Sequence, residues 1–357
     1  MTAKHLLPVP RGPITLRSTF DRFLAQVVNP PARTRERAQV SHNYVRSVLR
    51  SRAQLDRRLF NFIPNADFLT GSFDRGTKTR PLDDVDVFMV LDGARLSMSA
   101  NGTVLPTWLG ATAKDNPLLL PRYLDEQGCI SSGKVLLVLR SALAGTYPAS
   151  RIRRDGQAVN VWFESRKLGL DLVPAFYVTP ANNQSDRYLI PAGSGYTHWI
   201  PTNPKRDAEI VATLDEYHRE LFRPVVKLVK WWNRVRNQGR LRSYYIEVLC
   251  MRCFGAEPIP THGAALTKFF QYAGNVIGLS LPDPTGVGGP IAPELTELQL
   301  RESMSAVARA SGAAQQAMVA ALFGQTTVAI ARWRQVLGPK FGLPVLGIPI
   351  GGTRANV

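Results

Sequence analysis

The apolar positions change rhythm twice along the chain. In "ITLRSTFDRFLAQVVN" (14 to 29), Phe20, Phe23, Leu24 and Val27 recur at i, i+3, i+4 and i+7, the spacing of one apolar helix face. Ser18 and Thr19 are the predicted cap, and Pro30-Pro31 the stop. A longer helix follows, with Val40, Tyr44, Val48 and Leu55 at roughly helical spacing through "RTRERAQVSHNYVRSVLRSRAQLDRRL" (33 to 59). After Pro64 the pattern shortens to strands at 67 to 70, 84 to 91, 157 to 164, 168 to 178 and 187 to 191. Asp155-Gly156 is a hairpin-type turn ahead of the third of these, and 133 to 148 is a crossover or flanking helix. From Arg206 the strand signals stop. One or two helices surround Pro224, and others are predicted at 243 to 254, 262 to 278, 294 to 311 and 313 to 334.

This order predicts an α+β architecture of two lobes. Residues 1 to 60 form N-terminal helices bridging the lobes, 61 to 205 a sheet-based core, 206 to 335 a helical lobe, and 336 to 357 a loose tail punctuated by Gly and Pro. No internal repeat is visible.

Composition changes this picture little. A 357-residue chain that is 45% apolar can bury a large core. No run of eighteen apolar residues occurs, and "MTAKHLLPVPRGP" breaks on prolines before a signal-type core can form, so the expected setting is the cytoplasm, with no membrane. Three cysteines are too few for a disulfide framework, and Cys250 and Cys253, a lone C-x-x-C in a helical stretch, read as small hydrophobes. Charge says more. The net +17 favours polyanionic partners, whether nucleotides or nucleic acid, although the basic stretch at 33 to 59 reads as the solvated face of a surface helix.

The chemistry gathers in "TGSFDRGTKTRPLDDVDVFMVLD" (70 to 92). On a strand, Asp84 and Asp86 share one face while Val85 and Val87 point into the core. Two carboxylates held together repel, so they call for a cation, and oxygen ligands without His or Cys suit Mg²⁺ or Mn²⁺. Gly71 allows close approach of a phosphate to the backbone, and Ser72 adds a hydroxyl at the expected start of a helix. A third carboxylate, which two-metal phosphoryl transfer needs, appears as Asp171 in "KLGLDLVPAF", opposite in phase to Leu170 and Leu172. Taken alone, Asp171 could instead pair with Arg153 or Arg166. Asp83 is one residue out of phase and is expected to cap or to pair with Arg80. His198, Trp199 and Asn203 could line an acceptor pocket or serve packing and turn roles.

Gly-Ser, a loop, Asp-x-Asp in an apolar strand and a single Asp on a later strand together resemble the DNA polymerase β-like nucleotidyltransferase superfamily. Within it the sequence is similar to the CD-NTase group, the cGAS/DncV-like nucleotidyltransferases of bacterial antiphage (CBASS) signalling. "LTGSFDRGTKTRPLDDVDVFMVL", "LGLDLVPAF", "WIPTNPKRDAEIVATLDEY" and "LFRPVVKLVKWWNRVRNQGRLRSYYIEVL" carry the likeness, from about Phe68 to Leu249. The resemblance implies a mixed sheet flanked by helices plus a C-terminal helical lobe. It also implies a synthase that makes a cyclic di- or trinucleotide from ATP and/or GTP with two Mg²⁺ (or Mn²⁺) ions. Asp84 and Asp86 would bind both ions, and Asp171 would bind one and favour deprotonation of the acceptor hydroxyl. Gly71, Ser72, Lys227, Lys230 and Ser243 would hold the triphosphate, and Tyr244 would stack on the donor base.

By the same likeness the setting is bacterial and cytoplasmic, and the partners would be a CBASS effector and regulators or a conjugation system acting at the C-terminus. A nucleic-acid activator has no support beyond charge. Three alternatives share parts of the pattern: a linear polymerase or RNA 3′-end nucleotidyltransferase, a small-molecule nucleotidyltransferase, and a non-catalytic nucleic-acid-binding module.

Overall fold

Both rhythms appear in the computed structural model, which describes residues 15–55, 60–63, 65–82, 84–93, 96–100, 107–111, 120–164, 167–178, 186–193 and 197–343. The proline-broken N-terminus, Asp83, Arg166 and the tail from residue 344 lie outside the described residues. The chain begins with α1 (Leu16–Phe23), a π-helical turn (Leu24–Val28) and α2 (Ala32–Leu55). The core follows as β1 (Phe68–Thr70), α3 (Gly71–Asp74), β2 (Asp84–Leu91), β3 (Leu96–Ala100), β4 (Thr107–Ala111), α4 (Leu120–Tyr123) and α5 (Ser132–Thr146). It continues through β5 (Arg151–Asp155), β6 (Ala158–Phe163), β7 (Leu168–Val178), β8 (Arg187–Pro191) and β9 (Trp199–Thr202). The rest is helical: α6 (Pro204–Tyr217), α7 (Phe222–Arg236), α8 (Ser243–Phe254), α9 (His262–Val276), α10 (Glu297–Leu322) and α11 (Thr326–Leu337).

Local chemistry corrects three expectations. The cap of α1 is Thr15, not Ser18 or Thr19: its hydroxyl accepts from Ser18 N at 3.0 Å while Ser18 Oγ accepts from Thr15 N at 3.1 Å, a capping box that draws Ser18 into the first turn. The expected break between 311 and 313 is absent. Helix α10 runs through Gly312 because Ala310, Ala313, Ala314 and Ala317 bury its core face, which offsets the roughly 1 kcal/mol helix penalty of one glycine. The stop is Gly324, at φ +71°. Strands β3, β4, β5 and β9 were not predicted; β5 is "RIRRD", with no apolar alternation, and β9 contains Pro201. Pro224 sits in the first turn of α7, where a missing N–H costs nothing, so the 207 to 235 stretch is two helices.

One mixed sheet, ordered β1-β2-β7-β8-β9-β4-β3 with β6 beside β7 and β5 beside β6, carries the core. Strands β2 and β7 are parallel, and the other pairs among the described strands are antiparallel. On one face Val85, Val87, Leu170 and Leu172 pack with Ala38 and Val45 of α2 and Leu136, Leu139 and Leu143 of α5. The opposite face begins with the aspartates and becomes apolar further along, where Phe88 and Val90 meet Val173 and Tyr188. A separate core joins α7 to α11 with Phe20, Phe23, Leu24 and Val28, so the N-terminal segment touches both halves: α1 on the helices, α2 on the sheet. Cys250 and Cys253 are free and buried in that helical core. Among the described residues, no helix is long and apolar enough to cross a membrane.

Candidate active site

Register places the acids. Asp86 on β2 is the direct neighbour of Asp171 on β7, and Asp84 is the neighbour of Gly169. Since residues two apart share a face and Val85, Val87, Leu170 and Leu172 are each 0% exposed on the other side, the three carboxylates are committed to one face. Gly169 leaves room beside Asp84. Of the two arginines considered for Asp171, Arg153 bonds Asp155 at 3.1 Å instead, and Arg166 lies outside the described residues. Asp171 is partnered by Asn160 on β6, whose Nδ2 donates to Asp171 Oδ1 at 2.7 Å.

The electrostatics follow. Burial pushes the Asp86 carboxyl up to about 6, the Asp171 charge adds to the rise, and Lys78 and Arg75 oppose it. Asp171 is also raised by burial, against the Asn160 hydrogen bond. Among the described residues no three acidic, His or Cys side chains form a ready-made metal cluster. Instead the Lys78 ammonium contacts Asp84 Oδ1.

Gly71 is at φ +69°, and an added Cβ would stand 1.8 Å from Asp86 Oδ2. The position thus needs glycine twice, for conformation and for space. The helix expected after Ser72 is the single turn α3, closed by Thr77 N donating to Ser72 O at 2.9 Å.

This face opens on a cleft of about 730 Å³ toward the helices. Gly71, Ser72, Asp84 and Asp86 line it from the sheet side, and Lys230, Ser243 and Tyr244 from α7 and α8. Asp171 lies one strand over from Asp86. Lys227, one turn before Lys230, is buried outside the cleft lining. Trp199 is buried with its indole donating to Ile130 O at 2.8 Å, and Asn203 caps α6, so these two have packing and capping roles.

A buried group missed in the sequence holds the helical wall to the sheet. Glu247 on α8 accepts from Arg75 Nε at 2.6 Å, Lys230 Nζ at 2.5 Å and Thr77 Oγ1 at 2.9 Å. Burial alone would raise its carboxyl, yet the Arg75 and Lys230 charges hold it down to about 2. The signal was present, since Glu247 is a lone acid in "YYIEVLCMRCF", as Asp171 is in its strand. Tyr244 donates its hydroxyl to Asp207 Oδ1 at 2.8 Å, and the Arg75 guanidinium lies 5.3 Å from its ring centroid. Burial pushes Asp207 up to about 6, against Arg75 and the Tyr244 bond. Tyr245 is a core residue whose hydroxyl donates to the carbonyls of Ile277 and Leu279 at 2.9 Å each.

No protein-family profile matches the chain. It is 25% identical over 335 residues to a probable cyclic nucleotide synthase of Bacillus cereus (strain VD146), covering 92% of this chain and 98% of the relative. To a cyclic AMP-AMP-AMP synthase of Acinetobacter sp. (strain ATCC 27244 / 9458) it is 23% identical over 347 residues, covering 92% and 87%. Solved structures of E. coli MS115-1 CdnC with ATP and in a complex with HORMA-deltaN share the fold, at TM-scores of 0.65 and 0.63 and 18% and 19% identity, each over 91% of this chain and 98% of theirs. Along nearly its whole length, then, the chain is similar to cyclic nucleotide synthases, and its mixed sheet with attached helices shares the fold of CdnC.

Proposed function

We propose that the protein is a cyclic oligonucleotide synthase that joins ATP and/or GTP by successive nucleotidyl transfers into a cyclic di- or trinucleotide, in CBASS antiphage signalling. The observation that carries this is the register of Asp86 beside Asp171, with Gly71 against Asp86 and Lys230, Ser243 and Tyr244 across one cleft. The similarity to a probable cyclic nucleotide synthase of Bacillus and a cyclic AMP-AMP-AMP synthase of Acinetobacter supports it, and the latter favours a ring of three.

The donor set fits divalent ions. Asp84, Asp86 and Asp171 offer only oxygen on one face, and Gly71 leaves the space beside Asp86 Oδ2 that a Cβ would fill. These three would hold two Mg²⁺ (or Mn²⁺), which supply charge neutralisation on the transferring phosphoryl group. The chain does the rest. Asn160 fixes Asp171 Oδ1, leaving the other oxygen for the acceptor hydroxyl proton. Gly71, Ser72, Lys230 and Ser243 bind the triphosphate from two walls, with Lys227 behind them, and Tyr244 takes the donor base.

The two-lobed division at 61–205 and 206–335, a cytoplasmic location, and regulation by protein partners belong to the same proposal. The CdnC complex with HORMA-deltaN supports a protein regulator. Incubation with the four nucleoside triphosphates and Mg²⁺, followed by phosphatase and mass spectrometry, tests it. A cyclic product has no terminal phosphate to lose; a phosphatase-sensitive product would establish a linear polymerase or RNA 3′-end nucleotidyltransferase instead.

A further inference from the structure

Three carboxylates on one face need a positive charge, and the chain brings one of its own. Lys78 lies in the polar loop between α3 and β2, its ammonium against Asp84 Oδ1 and near enough for its charge to act on Asp86 and Asp171 as well. The loop is pinned on both sides of it. Thr77 Oγ1 donates to Glu247 Oε1 at 2.9 Å, and Arg80 N donates to Val28 O at 2.8 Å. The Lys78 side chain is only 17% exposed, whereas a surface lysine extends its ammonium into water. A lysine held in this way has a specified position. It also borders the wall that carries Gly71 and Ser72.

We propose that Lys78 is a positioning residue, the internal counter-ion of the carboxylate cluster, which competes with a divalent cation for Asp84 and, once displaced, turns to the donor triphosphate. The proposal rests on the metal assignment of the preceding section. Competition follows from charge: Asp84 Oδ1 cannot hold an ammonium and a divalent cation in one place, so either cation weakens the other. The displaced ammonium, on a stem anchored beside α3, has the triphosphate as its nearest new anion.

Competition has a signature that structural damage lacks. Replacing Lys78 removes the counter-ion, so the metal-free protein should melt at a lower temperature. It also removes the competitor, so metal should bind more tightly, whereas a merely structural lysine would give weaker binding on replacement.

The test titrates full-length wild type, K78M, K78R and D84N with MnCl₂ without nucleotide, reading free Mn²⁺ by electron paramagnetic resonance and melting temperature in EDTA. K78M should bind Mn²⁺ roughly threefold to tenfold more tightly than wild type, the worth of a partly buried ion pair, and should melt lower in EDTA. K78R, which keeps the charge, should stay near wild type, and D84N should lose most of its affinity. K78Q carries the same comparison should K78M fail to fold. Unchanged or weaker Mn²⁺ binding by the neutral variants, with D84N impaired, overturns the counter-ion and leaves the metal assignment standing. Wild-type binding by D84N overturns both.

Discussion

Arg75 and Glu247 stand 172 positions apart in sequence and 2.6 Å apart in space, Nε to Oε2, joining the turn after the Gly-Ser step to α8 on the cleft's far wall. Lys230 completes the group, and the three side chains are 7%, 1% and 6% exposed. Truncating one member strands charges in a dry place, so E247A should lower unfolding free energy by about 3 to 5 kcal/mol in a urea titration. The same group sets an acid limit. Glu247 is held at about 2 against an ordinary 4.5, so between those values the unfolded chain binds the extra proton. Its stabilisation is complete above the ordinary value and disappears as pH falls toward 2, a swing of about 3 kcal/mol. Unfolding free energies of wild type and E247Q, measured from pH 6 to pH 2, should converge at the acid end. A constant gap across that range would contradict the linkage.

The aspartates were legible because a strand has a period of two: Val85, Val87, Leu170 and Leu172 announce their face, and the acids must take the other. Glu247 was not read, because its partners Arg75 and Thr77 are brought to it only by tertiary folding. Lys227 and Lys230 looked equivalent as neighbours on one helix. Both are buried, but the packing of α7 turns Lys230 to Glu247 at the cleft wall and leaves Lys227 outside the lining. Strand β5 was invisible for a related reason: it pairs with β6 through backbone hydrogen bonds that an arginine-rich sequence does not advertise.

Gly71→Ala should be severe for its size. One methyl would meet Asp86 Oδ2 at 1.8 Å, in a backbone conformation at φ +69° that L residues rarely take. Expected are a stability loss of at least about 1 kcal/mol and a fall in product formation of about a hundredfold or more, since the carboxylate must move. Melting temperature and initial rate, measured together, check it.

Tyr244 offers a split between ring and hydroxyl. Y244F keeps the ring but gives up the 2.8 Å bond to Asp207, so KM for the donor triphosphate should change only a few-fold. Y244A removes the ring and should raise KM about tenfold or more, the size of one base stack. Equal effects in steady-state kinetics would move the role from the ring to the hydroxyl.

The central claim is that Asp84, Asp86 and Asp171, set in register on β2 and β7, are the centre that builds a cyclic oligonucleotide. D86N tests it most directly. Burial and the Asp171 charge already disfavour an ionised Asp86, so the amide should leave the melting temperature in EDTA unchanged or higher. Product from ATP and GTP with Mg²⁺, quantified by mass spectrometry after phosphatase, should be cyclic for wild type and reduced at least about a thousandfold for D86N, some 4 kcal/mol of lost transition-state stabilisation. A folded D86N that still makes the wild-type amount of cyclic product would contradict the account.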